Sequence, residues 1–139
     1  MRFRSLLKSR SGSSAVEFAL VAPLLFMTLF SLIGYGIYLG AAHSVQQVAA
    51  DAARTAVAGL TDAERKQLVS DFMTKSTMNY ALLDKKYFTT TVQQDATNPN
   101  QFTVTVTYDA SNLPIVSLYS FAMPSPVIRR FATLRMGGV

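Results

Sequence analysis

The sequence predicts an α+β fold: a long N-terminal transmembrane helix extending into a small domain with a second helix and a three-stranded antiparallel sheet. Three observations predict it. No Asp, Glu, Lys or Arg occurs from Phe18 to Ala50, and Phe18 to Ala42 is dense in Leu, Phe, Val, Ile and Ala. Apolar residues then continue at helical spacing beyond the charge-free run. Three later stretches, near residues 87–93, 102–108 and 127–136, are rich in strand-forming Thr, Val, Tyr and Phe.

The first element needs about 20 apolar residues to cross the hydrocarbon core, and the run from Phe18 supplies them. Tyr35 and Tyr38 near its far end suit an interfacial aromatic belt. Pro23 removes one backbone donor and predicts a kink or a local loosening. Beyond the membrane edge, Val45, Val48, Ala49, Ala52 and Ala56 form one helical stripe, while Gln47, Asp51, Arg54 and Thr55 take the other positions. Gly59 is a stop signal, so one helix is expected from about Phe18 to Ala58. Gly36 and Gly40 form a GxxxG pair of the kind that lets helices approach closely in lipid. A secretory signal peptide fits less well, because the apolar run exceeds the usual 7–15 residues. The best small-residue cleavage site, at Gly40-Ala41-Ala42, also comes too late.

Thr61 and Glu64 have capping-box spacing and open a second helix, expected to reach about Asn79. Leu68, Val69, Phe72 and Met73 make its apolar face; Lys66, Ser70 and Lys75 face water. The clearest strand is 102–108, where Phe102, Val104, Val106 and Tyr108 alternate with Thr103, Thr105 and Thr107. Asn98-Pro99-Asn100 is the turn before it, and Tyr87–Gln93 and Val127–Met136 complete an antiparallel meander on the projecting helix. Leu113 to Pro126 is too apolar for a free loop; it covers the sheet or docks on another protein or the membrane. The arginines of the last strand, Arg129, Arg130 and Arg135, fit a solvated face or acidic groups.

Composition bounds the function. The 139 residues are 50% hydrophobic and only 15% charged, with mean hydropathy +0.24. Soluble domains average about 25% charge, so disorder is excluded and a membrane segment is indicated. The absence of cysteine excludes disulfides, zinc-thiolate sites and thiol catalysis. One histidine, His43, allows neither a histidine metal cluster nor more than one imidazole base. No Gly-rich phosphate loop or metal-ligand spacing occurs, so no catalytic, cofactor or metal site is expected, and the chain reads as a non-enzyme.

The net charge of +5 resembles a nucleic-acid footprint until it is located. Arg2, Arg4, Lys8 and Arg10 lie in the first twelve positions with no acid among them; the rest holds nine basic and eight acidic residues. Beside an apolar run, four basic residues mark a cytoplasmic flank, with the chain after residue 42 on the far side. No nucleic-acid partner is expected.

Glu17 is the anomaly, a carboxylate at the start of the apolar helix, where it is costly. A helix-end acid favoured by the macrodipole is the simpler explanation from position alone. The surrounding run from Arg10 through Gly12, Ser13, Glu17, Phe18 and Pro23 to Leu25 resembles the N-terminus of pilins and pseudopilins of the type IV filament superfamily. Its Ala-Val-Glu-Phe-Ala-Leu-Val-x-Pro-Leu-Leu portion is most similar to TadE-like minor pseudopilins of the tight-adherence (Tad/Flp) pilus system. The similarity spans about Arg10 to Leu39, with a weaker match at Phe131–Met136.

That resemblance implies a set of expectations. A prepilin peptidase would cut between Gly12 and Ser13, at an accessible, extended peptide, making Glu17 the fifth mature residue and Phe18 the sixth. Glu17 would pair with the N-terminal amine of a neighbouring subunit. The division would be a basic cytoplasmic leader, 1–12; a transmembrane helix, 13–42; and a periplasmic domain, 43–139. The chain would be a single-pass bacterial inner-membrane protein, partnered by other pilins and pseudopilins, the pilus assembly platform and the lipid membrane. The function implied is structural, in pilus assembly, adhesion or secretion. The alternative is an uncleaved, membrane-tethered periplasmic binding or assembly module in which Glu17 is only a helix-end acid.

Overall fold

The computed structural model describes residues 10–75, 83–114 and 125–137. Its elements are α1 (Arg10–Ala56), α2 (Asp62–Lys75), β1 (Phe88–Gln94), β2 (Gln101–Asp109) and β3 (Val127–Arg135), with single 3-10 turns at Lys85–Tyr87 and Ala110–Asn112. The predicted α+β architecture is present: a long apolar helix, a second helix and an antiparallel sheet of order β1-β2-β3.

α1 has 47 residues and is therefore about 70 Å long at 1.5 Å per residue. It begins eight residues before Phe18, and it runs on through Pro23, whose ring leaves the Ala19 carbonyl without its usual helical donor. Its surroundings change abruptly along its length. Large apolar side chains from Val16 to Leu39 are exposed, apart from Ile37 and Tyr38, which are half-buried against the core, whereas Ala41, Ala42, Val45, Val48, Ala49, Ala52, Ala53 and Ala56 are buried. The predicted stripe is thus the domain's core seam. Ala53, outside that stripe, is buried too, because α1 is covered by the sheet and by α2 together.

α2 opens with the predicted capping box. Thr61 Oγ1 accepts from the Glu64 amide at 3.2 Å, and Glu64 Oε2 accepts from the Thr61 and Leu60 amides at 3.1 and 2.8 Å. α2 is described to Lys75, and the expected continuation to Asn79 lies outside the described residues. Val69 is buried, and Phe72 and Met73 pack against the core.

Arg65 is the buried polar residue that the apolar pattern did not anticipate. Its Nε donates to the Gly59 carbonyl and its Nη2 to the Leu60 carbonyl, each at 3.2 Å, and its guanidinium lies 5.3 Å from the Phe102 ring centroid. Those bonds satisfy a charge that burial would otherwise penalise. The same packing explains Gly59: a Cβ there would lie 2.8 Å from the Arg65 backbone nitrogen. The turn after α1 therefore has no room for a side chain.

β2 alternates as expected, with Phe102, Val104, Val106 and Tyr108 buried against the helices. The β1–β2 turn is held by Asp95, whose Oδ1 accepts from the Thr97 and Asn98 amides at 2.7 and 3.0 Å. Leu113 is buried, and the apolar stretch 115–124 lies outside the described residues.

Candidate functional site

The N-terminal part of α1 carries the sequence-predicted site. Gly12, Ser13, Glu17 and Phe18 all lie on exposed helix, and Phe18 is 70% exposed. Side chains on a helix lean toward its N-terminus, so a residue reaches back over the turn before it. Glu17 does so: the Ser13 hydroxyl donates to Glu17 Oε1 at 3.1 Å. In the intact chain the carboxylate thus has a neutral partner within its own helix.

Gly12 and Ser13 are helical, because the Ser-Ala-Val-Glu-Phe-Ala run continues the helix backward without a break. A peptidase acting here would first have to unwind this end. Gly12 lowers that cost, being a weak helix former at about 1 kcal/mol below Ala. The basic residues Arg2, Arg4 and Lys8 lie outside the described residues.

Gly36 and Gly40 lie further along α1 on exposed surface, and a Cβ at either would meet nothing within 4 Å. The pair is an open notch in the helix surface, with no second helix among the described residues against it. Glu17 and the glycine pair are not brought together; about 19 helical residues, near 30 Å, separate Glu17 from Gly36. The site is a linear helix surface and not a pocket.

Two contacts that periodicity does not reveal fix the domain on this helix. Tyr38 Oη donates to the Ser125 carbonyl at 3.3 Å, and Gln46 Nε2 donates to the Phe131 carbonyl at 3.2 Å. Both join α1 to the chain entering or forming β3. Tyr38 had a signal as an interfacial aromatic, but its partner is 87 residues away in sequence.

Electrostatics in the domain are local. Arg54–Asp51, Lys66–Asp62, Lys75–Asp71 and Lys86–Asp84 pair at 2.9–3.3 Å on exposed surface, where such pairs contribute little. The Lys75 ammonium, bonded to its side chain, holds Asp71 below the ordinary carboxylate value. Hydrogen bonds from the Ser111 side chain and amide do the same for Asp109. Burial pushes the Tyr108 phenol up.

The helix that carries Glu17 is also the part with known counterparts. Residues 12–54 match the family model described as TadE-like protein. This segment is TadE-like. The match takes in Gly12, Ser13, Glu17, Phe18, Gly36 and Gly40, and ends two residues before the end of α1. No curated protein and no solved structure matches the chain. The TadE-like segment lies in a helix long and apolar enough to cross a membrane once.

Proposed function

We propose that the chain is a TadE-like minor pseudopilin, a non-catalytic structural subunit made as a single-span precursor and trimmed between Gly12 and Ser13. In this reading residues 1–12 are the cytoplasmic leader, 13–42 cross the inner membrane, and 43–139 are periplasmic. The trimmed subunit joins other pilins or pseudopilins on the Tad/Flp assembly platform and serves assembly, adhesion or secretion.

The observation that carries the reading is Glu17 on exposed apolar helix, five residues from Gly12, inside a segment that matches the TadE-like family model. A carboxylate there calls for a partner, since isolated charge in lipid is expensive. Trimming would make an α-ammonium at Ser13, one turn from Glu17 and equally in need of a counter-charge. Glu17 would then exchange the neutral Ser13 hydroxyl donor for a positively charged one, the amine of a neighbouring subunit. Gly36 and Gly40 would supply the close helix approach during packing.

The helical Gly12–Ser13 junction and the Ser13–Glu17 bond favour a second reading, an uncleaved tethered module whose helix is complete as made. N-terminal mass spectrometry of membrane-extracted protein, with and without the cognate prepilin peptidase, separates the two. Peptidase-dependent appearance of Ser13 as the first residue supports the pseudopilin; an unchanged N-terminus supports the tether.

A further inference from the structure

We propose that the start of β3, with Val127 and Arg129, rests in the phospholipid headgroup layer of the leaflet from which α1 emerges, and that the Arg129 guanidinium binds lipid phosphate. The proposal rests on α1 being a membrane span.

The depth follows from two contacts between α1 and the β3 chain. Tyr38 meets Ser125, and Gln46 meets Phe131. Tyr38 to Gln46 is a climb of about 12 Å along the helix, while Ser125 to Phe131 is about 20 Å of extended chain. The strand therefore ascends obliquely, gaining about 2 Å of height per residue by the same rises. Val127 stands about 4 Å above Tyr38 and Arg129 about 8 Å on that scale.

The lipid boundary is set independently. A core of about 30 Å, counted from Glu17, ends near Tyr38. Exposed large apolar side chains on α1 end in the same place, at Leu39, while Ile37 and Tyr38 are already half-buried against the domain core and full burial of the core stripe begins at Ala41. Exposed Tyr35 and Leu39 interleave with Ile37 and Tyr38, which pack on the domain core, so the domain stands directly on the membrane. The headgroup region adds about 5–7 Å on each side. Val127 falls within it, and the long Arg129 side chain reaches it from just above.

The chemistry of this end suits that depth. No charged residue occurs from Ala110 to Ile128, and Arg129 and Arg130 follow at once. Val127 is 51% exposed, an apolar side chain at the start of β3. Arg129 is exposed and has no carboxylate within ion-pair distance among the described residues. Asp109, across the strand pair from Val127, has its carboxylate taken up by Ser111 at 2.6 and 2.9 Å. A guanidinium is well matched to phosphate, in a bidentate hydrogen-bonded pair.

The absence of cysteine makes the test direct. Full-length Val127→Cys, Leu29→Cys and Thr97→Cys proteins are labelled with a fluorophore and reconstituted into phosphatidylethanolamine–phosphatidylglycerol vesicles. Quenching is read with lipids spin-labelled in the headgroup or in the acyl chain. Leu29 should be quenched from the acyl chain, Val127 from the headgroup, and Thr97, in the distal β1–β2 turn, by neither. Adding Arg129→Glu should reduce Val127 quenching at least threefold, and Arg129→Lys should keep most of it. An unquenched Val127 beside a quenched Leu29 overturns the contact but leaves the span intact, and would pass this edge to a protein neighbour. An unquenched Leu29 removes the span and the contact with it. Quenching at Val127 that ignores Arg129→Glu overturns the role given to the arginine.

Discussion

The hydroxyl of Ser13 donates to the carboxylate of Glu17 one helical turn along, at 3.1 Å. The residue expected to become a new N-terminus and the carboxylate expected to pair with a neighbouring subunit's amine lie on one face of an exposed helix. The uncut chain thereby meets part of the need of a carboxylate at the membrane edge, and trimming would change the chemistry of that need without moving Glu17.

Gly12→Leu should block trimming. A branched side chain would replace the smallest residue at the cut, and would also favour the helix that must unwind, by about 1 kcal/mol relative to glycine. Full-length protein should accumulate in the membrane, read as an unshifted mass. A normally shortened product from this variant would remove cleavage at Gly12–Ser13.

Glu17→Gln keeps the shape and removes the charge. Membrane insertion should survive, and trimming should too, since the junction is unchanged. Crosslinking to the cognate pilus subunits and surface piliation should fail, because an amine in low dielectric would have lost its counter-charge. Wild-type assembly by the trimmed variant would leave Glu17 as a helix-end acid only.

Val48→Asp and Gln47→Asp test the phase of α1 within the domain. Val48 is fully buried and Gln47 is exposed. An unpaired carboxylate at Val48 should cost several kcal/mol, roughly, and expose the domain to protease; the change at Gln47 should stay within about 0.5 kcal/mol. Equal protease sensitivity in both would contradict the helix face described.

Gly59→Ala and Gly36→Ala separate two reasons for glycine. At Gly59 a Cβ would meet the Arg65 backbone nitrogen at 2.8 Å, and backbone does not yield cheaply. Overpacking should cost about 1–3 kcal/mol, visible as a lower melting temperature. At Gly36 the same Cβ meets open space, so thermal stability should hold while close helix packing in filaments weakens. A stable Gly59→Ala protein would mean that the turn after α1 can shift.

What the sequence by itself determined was everything governed by local periodicity and composition. The charge-free run, the Val45–Ala56 stripe, the Thr61/Glu64 capping box and the alternation of Phe102 to Tyr108 each specify an element from neighbours within a turn or a pleat. The motif around Glu17 was legible for the same reason, being contiguous. Tertiary structure alone decided which charges could be buried and how the sheet stands on the helix. Arg65 sits in the core because the Gly59 and Leu60 carbonyls and the Phe102 ring receive it. Arg65 does fall three and four residues before Leu68 and Val69, on the apolar face. That spacing hinted at burial but named none of its partners, because the fold chose them. Tyr38–Ser125 and Gln46–Phe131 close loops of 87 and 85 residues. Such contacts depend on where strands pair, and pairing follows from the shared burial of two distant surfaces, which no local pattern encodes.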